Sequence, residues 1–254
     1  MTKSKDGVIQ RNPLQVISKF TIGGNTLARN TKRERVKNKK LKASSKKWME
    51  RHLNDEYRAK AEALGWRARS AFKIIEIQDK FDIFNLGRRY LKIKSPSAFH
   101  ILDLGCAPGS WSQVILKQTK ANVIGVDLLE TKHLEGLDFY KGDFCDPEIQ
   151  DILSNKYEKF DLIVSDIAPN TTGHKTVDSL ALIAILEKEW NFIQKFLKDG
   201  GCFVCKVFRS GAEETLLKEI KQKFDFVRHF KPKSSRKESN EFYVIALNFN
   251  KFYG

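Results

Sequence analysis

The sequence predicts an α/β fold: a mostly parallel, seven-stranded sheet with one antiparallel edge strand and helices on both faces. Three observations carry that expectation. Beyond residue 98, short apolar runs alternate with helical stretches, as strands joined by crossover helices do. The central runs lack polar alternation, so both of their faces are covered, which is the mark of a parallel sheet. The last two runs are joined by a loop with no room for a helix, so their pairing reverses direction.

The elements follow in order. Residues 48–65 read as a helix with Gly65 as its C-cap. A second helix runs from about 68 to 81, with Ala71, Ile74, Ile75 and Ile77 on its apolar side. Strands are expected at FHILDL (99–104), NVIGVD (122–127), LDFYKGD (137–143) and FDLIVSD (160–166). Three more follow at GCFVCKVF (201–208), FDFVRHF (224–230) and EFYVIALNF (241–249). Helices fall at about 110–118, 147–154, 177–198 and 212–223, whereas the link between the second and third strands is short and irregular. No internal repeat is present.

Charge divides the chain unevenly. Its 254 residues carry a net charge of +15. Residues 1–50 hold 14 Lys or Arg against Asp6, Glu34 and Glu50, a net +11, which leaves only +4 for the rest. The stretch RNTKRERVKNKKLKASSKK has no apolar face to bury, so residues 1–45 are expected to be a disordered, RNA-binding arm and 46–254 the folded domain. Such an arm seeks phosphate.

Several classes drop out. No apolar run approaches the ~18 residues a membrane helix needs, and MTKSKDGVIQ has no secretory h-region. The four cysteines, Cys106, Cys145, Cys202 and Cys205, are too few for a disulfide scaffold and suit a reducing compartment such as the cytoplasm. Cys202 and Cys205 form a C-x-x-C inside a strand, where that spacing points them to opposite faces. No second pair offers a zinc site, so no metal is expected.

The strongest local signal is ILDLGCAPGSWSQ. An apolar strand carrying Asp103 runs into the small residues Gly105, Ala107, Pro108 and Gly109, and a helix opens near Ser110. Small residues there let the backbone touch a ligand at the carboxyl edge of the sheet. A dinucleotide site would show G-x-G-x-x-G, but the pyrophosphate-facing glycine is missing and Pro108 removes an N–H donor. The turn suits a ligand without phosphates, such as S-adenosyl-L-methionine. Asp127 ends the second strand, where an acid can accept hydrogen bonds from ribose hydroxyls, and Asp143 follows the third, where one can take an adenine amino group. At the fourth strand end stands Ser165-Asp166-Ile167-Ala168-Pro169-Asn170. It lacks the aromatic that base-amine methylation uses for stacking, and no cysteine nucleophile falls in it. The acceptor expected here is a hydroxyl.

Taken together, these blocks resemble the FtsJ-type ribose 2′-O-methyltransferases over about residues 44–247. The shared blocks are SSKKWMERHLNDEYRAKAEALGWRARSAFKIIEI, DLGCAPGSWSQ, VDLL, GDF, SDIAPN, VDS, KVF and KPKSSRKESNEFYVIA. Cys106 and Ser110 depart from the usual small residues, and the basic extension is longer than in compact bacterial members. The resemblance implies a Rossmann-like methyltransferase fold and S-adenosyl-L-methionine as cofactor. It also implies ribosomal RNA as partner, a uridine of 23S RNA in the large subunit as acceptor, and a monomer in the cytoplasm. It assigns a catalytic tetrad to Lys73, Asp166, Lys206 and Glu241. Around the cofactor it places Gly105, Gly109, Trp111, Asp127, Asp143 and Asp166. An RNA-binding assembly factor without activity, or methylation of another RNA such as transfer RNA, stays open at this point.

The chemistry says why such a tetrad should meet. Methyl transfer from a sulfonium is an in-line displacement, so the ribose oxygen must be aligned and its proton taken up. A neutral amine can do this, and burial beside a second lysine favours the neutral form. Lys206, a lysine within the apolar run CFVCKVF, is therefore the expected proton acceptor, with Lys73 and Glu241 in support.

Overall fold

The computed structural model describes residues 35, 45–46, 49–50, 53–85, 98–169, 175–211 and 213–251. The basic arm expected over 1–45 lies outside the described residues, apart from Arg35 and Ser45. The chain divides into two compact units, residues 1–56 and 57–254. In the first, Asn54 turns the chain by donating its backbone N–H (3.1 Å) and its side-chain amide (2.6 Å) to the Glu50 carbonyl.

The single helix expected over 48–65 is interrupted at Asn54 and Asp55, where the Asn54 side-chain amide joins its own backbone N–H on the Glu50 carbonyl. Helix α1 is Glu56–Ala63. It ends as expected at Gly65, whose φ of 69° lets the Trp66 N–H reach the Ala61 carbonyl at 2.8 Å. Helix α2 is Ala71–Phe81, with Ala71, Ile74 and Ile77 buried and Lys73 on nearly the same face.

The strands are β1 His100–Leu104, β2 Asn122–Asp127, β3 Leu137–Lys141, β4 Phe160–Ser165, β5 Leu197–Phe208, β6 Phe224–Phe230 and β7 Glu241–Phe249. Between them run α3 Ser110–Gln118, α4 Pro147–Tyr157, α5 Lys175–Phe196 and α6 Glu214–Lys223. They form one sheet in the order β3-β2-β1-β4-β5-β7-β6. The first five strands are mutually parallel, and the reversed pairing sits at one edge, where β7 runs antiparallel between β5 and β6. Strand β5 starts four residues earlier than expected: Leu197 already pairs with Phe160, and the register then shifts so that Cys202 meets Leu162.

Both faces are covered. Ile74 and Ile77 of α2 and Trp111, Val114 and Ile115 of α3 pack on Ile101, Leu162, Val204 and Tyr243. On the opposite face, Leu153, Trp190, Ile193, Phe196 and Ile220 pack on Leu102, Ile163, Phe203 and Val244. Cys202 belongs to the first layer and Cys205 to the second, and both are free thiols. Because β7 is reversed, its first residue, Glu241, pairs with Phe208 at the carboxyl end of β5. One edge therefore gathers the ends of β1, β2, β3, β4 and β5 and the start of β7. Among the described residues, no helix is long and apolar enough to cross a membrane.

Candidate active site

The turn after β1 is shaped by two glycines in left-handed conformation, Gly105 (φ 68°) and Gly109 (φ 91°). A Cβ on Gly105 would lie 2.4 Å from Ile167 Cγ1, and one on Gly109 would lie 2.9 Å from an Arg67 guanidinium nitrogen. Gly109 caps α3, whose first turn presents backbone N–H groups without helical partners. Trp111 stands in that first turn, but its indole is 2% exposed and donates to the Ser70 carbonyl at 2.9 Å. Its ring is core packing against Tyr243, so the group it presents to the turn is its backbone N–H.

The acids differ in availability. Asp127 is half-buried and accepts the Ala107 N–H at 2.8 Å on one oxygen and the Leu129 N–H at 2.7 Å on the other. It thus ties the loop after β2 to the glycine turn, with a lone pair left on each oxygen. Asp143 is also half-buried and accepts the Cys145 N–H at 2.9 Å. Asp103 is 1% exposed and takes the Ser112 hydroxyl at 2.6 Å. Burial pushes its carboxyl up to about 7, and it holds α3 to β1 from inside. Sequence reasoning missed Arg67, whose guanidinium reaches the Pro108 carbonyl at 2.9 Å and the Lys132 carbonyl at 2.7 Å. It fastens the glycine turn to the loop after β2.

Lys73, Asp166, Lys206 and Glu241 are brought together from four separate elements. Asp166 Oδ1 lies 3.1 Å from Lys206 Nζ and 3.4 Å from Lys73 Nζ. Lys73 Nζ also lies 3.3 Å from Glu241 Oε1, and Lys206 Nζ donates to the Asp166 backbone carbonyl at 2.6 Å. Their side chains are only 6–17% exposed, so both charge pairs sit largely out of water. Burial alone would raise the Asp166 carboxyl, but the Lys206 and Lys73 charges and the Tyr243 hydrogen bond outweigh it and hold it below the ordinary carboxylate value. Tyr243 donates its hydroxyl to the same oxygen, Asp166 Oδ1, at 2.6 Å. Sequence reasoning missed this residue. The available signal was its place two residues after Glu241 in a strand, which puts both on one face.

The glycine turn and the tetrad are contiguous, because Ile167 both follows Asp166 and fills the space over Gly105. The loop 231–240 borders the same edge. Glu76 of α2 accepts its Lys233 N–H (2.5 Å) and Ser234 N–H (2.9 Å). Lys231 folds back onto the Ser239 carbonyl at 2.6 Å, whereas the Lys233 and Lys237 side chains are exposed. Chemically, the site can hold a buried amine against a carboxylate, orient a hydroxyl and seat a ligand against bare backbone.

Residues 66–249 match the family model described as FtsJ-like methyltransferase. Ribosomal RNA large subunit methyltransferase E of Granulibacter bethesdensis is 46% identical over 212 residues, covering 83% of this chain and 87% of that protein. The protein of the same name from Rickettsia conorii is 41% identical over 223 residues, covering 84% and 93%. Among solved structures, a chain named as a ribosomal RNA methyltransferase of Plasmodium falciparum superposes with a TM-score of 0.60 at 29% identity. It covers 72% of this chain and 98% of its own.

Proposed function

The chain belongs to the FtsJ-like methyltransferase family, and from that premise we propose that it methylates a ribose 2′-hydroxyl of ribosomal RNA with S-adenosyl-L-methionine as donor. The acceptor proposed is a uridine of 23S RNA in the large subunit, in the cytoplasm, with the enzyme acting as a monomer. The observation that carries the reading is the convergence of Lys206, Lys73 and Tyr243 on Asp166 Oδ1, directly beside the Gly105 turn.

The residues fit the cofactor. Gly105 and Gly109 leave bare backbone where any side chain would clash, and the first turn of α3, Trp111 N–H included, offers donors. Asp127 and Asp143 would hold the ribose and adenine, with Asp166 between cofactor and acceptor. When bound, S-adenosyl-L-methionine supplies an electrophilic methyl group.

The chain's own residues handle the acceptor. Once it has released one proton to solvent, a lysine amine has two N–H hydrogens and one lone pair. At Lys206 both hydrogens can be taken by Asp166, through its carbonyl and its carboxylate, which leaves the lone pair to accept the 2′-hydroxyl proton. The resulting ammonium stays paired with Asp166. Lys73, held by Glu241, keeps Asp166 ionised and oriented. The test is transfer of labelled methyl groups to large subunits, free 23S RNA and transfer RNA from a strain lacking the enzyme, with the modified ribose then mapped. Labelling of transfer RNA alone would replace the proposed substrate, and no labelling of any RNA would remove the activity.

A further inference from the structure

Glu189 is a buried carboxyl that the proton transfer above does not use. It stands on α5 at 2% exposure, among Leu186, Trp190 and Ile193. An ionisable group in such a place costs stability unless its polar atoms are partnered. Its partner is Ser165, the last residue of β4, whose hydroxyl donates to Glu189 Oε1. Ser165 Oγ accepts the Ile167 N–H at 3.3 Å in turn. One hydrogen-bonded chain therefore brackets Asp166 on both sides, and the same Asp166 gives its carbonyl to Lys206 at 2.6 Å.

We propose that Glu189 is a positioning residue for methyl transfer: through Ser165 it holds the Ser165–Asp166–Ile167 turn so that Asp166 faces Lys206 and Lys73. The inference rests on the methyl-transfer reading above. An ionised carboxyl can only accept, which fixes Ser165 as donor to Glu189 and leaves its lone pairs for the Ile167 N–H. A protonated carboxyl competes to donate, and the chain loses its direction. The groups that face Glu189 are Ser165 and Asp166, at and just past the end of β4, and Cys205 and Lys206 on β5, while Glu213, at the N-cap of α6, lines the same small cavity. Burial pushes the Glu189 carboxyl up to about 7, against the lowering by the Ser165 hydrogen bond and the Lys206 charge, so the direction of the chain changes near neutrality.

The experiment compares wild type, Glu189→Gln and Glu189→Leu for methyl transfer to large-subunit RNA across about pH 6–9, with cofactor affinity by calorimetry and a crystal structure of Glu189→Leu. Glutamine accepts from Ser165 at every pH. It is expected to keep kcat within about threefold at the alkaline end and to lose part of the fall toward acid. Leucine is expected to lower kcat about tenfold or more, with KM for RNA and cofactor affinity within about threefold. An unchanged kcat in Glu189→Leu, or equal losses in both variants, overturns the proposal. If Glu189→Leu does not fold, the glutamine pH profile decides: a profile identical to wild type overturns it. If wild type methylates no RNA, the function fails separately and the crystal structure judges the positioning. Asp166 Oδ1 still within about 4 Å of Lys206 Nζ then overturns it, and displacement beyond that supports it.

Discussion

Replacing Lys206 by alanine leaves Asp166 Oδ1 with Lys73 and Tyr243 but takes away the lone pair that receives the proton. Lys206→Ala is expected to lose about 100-fold or more in methyl transfer while cofactor affinity moves less than about threefold. Turnover within about tenfold of wild type would assign proton uptake elsewhere. Asp103 supports a second prediction, concerning stability. Its folded value of about 7 lies above the unfolded value of 3.8, so between those limits the native state holds a proton that the unfolded chain has lost. Stability therefore falls as pH rises through that window, by on the order of 4 kcal/mol, and is flat with respect to this group above it. Asp103→Asn keeps an acceptor for Ser112 and removes the titration, so its melting temperature should fall less between about pH 4 and 7 than that of wild type. Parallel melting curves would show that Asp103 does not carry the effect. Lys206 was legible in part: a lysine in an apolar strand demands partners, but the resemblance supplied its role. Lys73 was not: on pattern alone it reads as the wet side of a helix, and only the resemblance singled it out. Trp111 shows the opposite limit, since one letter cannot say whether its ring or its backbone faces a ligand.

Helix α2 connects two functions, with Lys73 reaching the tetrad and Glu76, one turn on, pinning the loop 231–240. Glu76→Ala removes an acceptor shared by two backbone N–H groups, at a cost of roughly 1–3 kcal/mol. The loosened loop should raise KM for RNA about three- to tenfold, with cofactor affinity unchanged in calorimetry. Equal KM values for mutant and wild type would mean that the loop's order does not serve RNA binding. At this scale most of the sheet was readable, because buried parallel strands are apolar on both faces and stand out as runs. Strands β2, β6 and β7 coincide with their expected bounds. The insertion of β7 between β5 and β6 was not readable, since a ten-residue loop permits pairing on either side and nothing in the alternation selects one. The break at Asn54 was hidden too, since the apolar periodicity carries no signal of it.

For the whole molecule, the sequence puts most of the net charge into residues 1–50. The net +11 of residues 1–50 suits phosphate contacts that release counterions, so affinity should fall steeply with salt. Deleting residues 1–43 is expected to weaken RNA binding and to flatten the slope of log affinity against log salt, with cofactor binding unaffected. Superimposable slopes for the two forms would mean that the arm makes no phosphate contact. The paired charges of the site have a complementary effect on the far field. Lys73 answers Glu241 and Lys206 answers Asp166 within ion-pair distance, so from a few ångströms away the reacting centre looks like opposed dipoles, whose potential dies off much faster than that of a bare charge. RNA nearing this centre is therefore expected to sense little of its charge until it is close, and ionic strength should act on how often RNA is captured more than on the turnover of captured RNA.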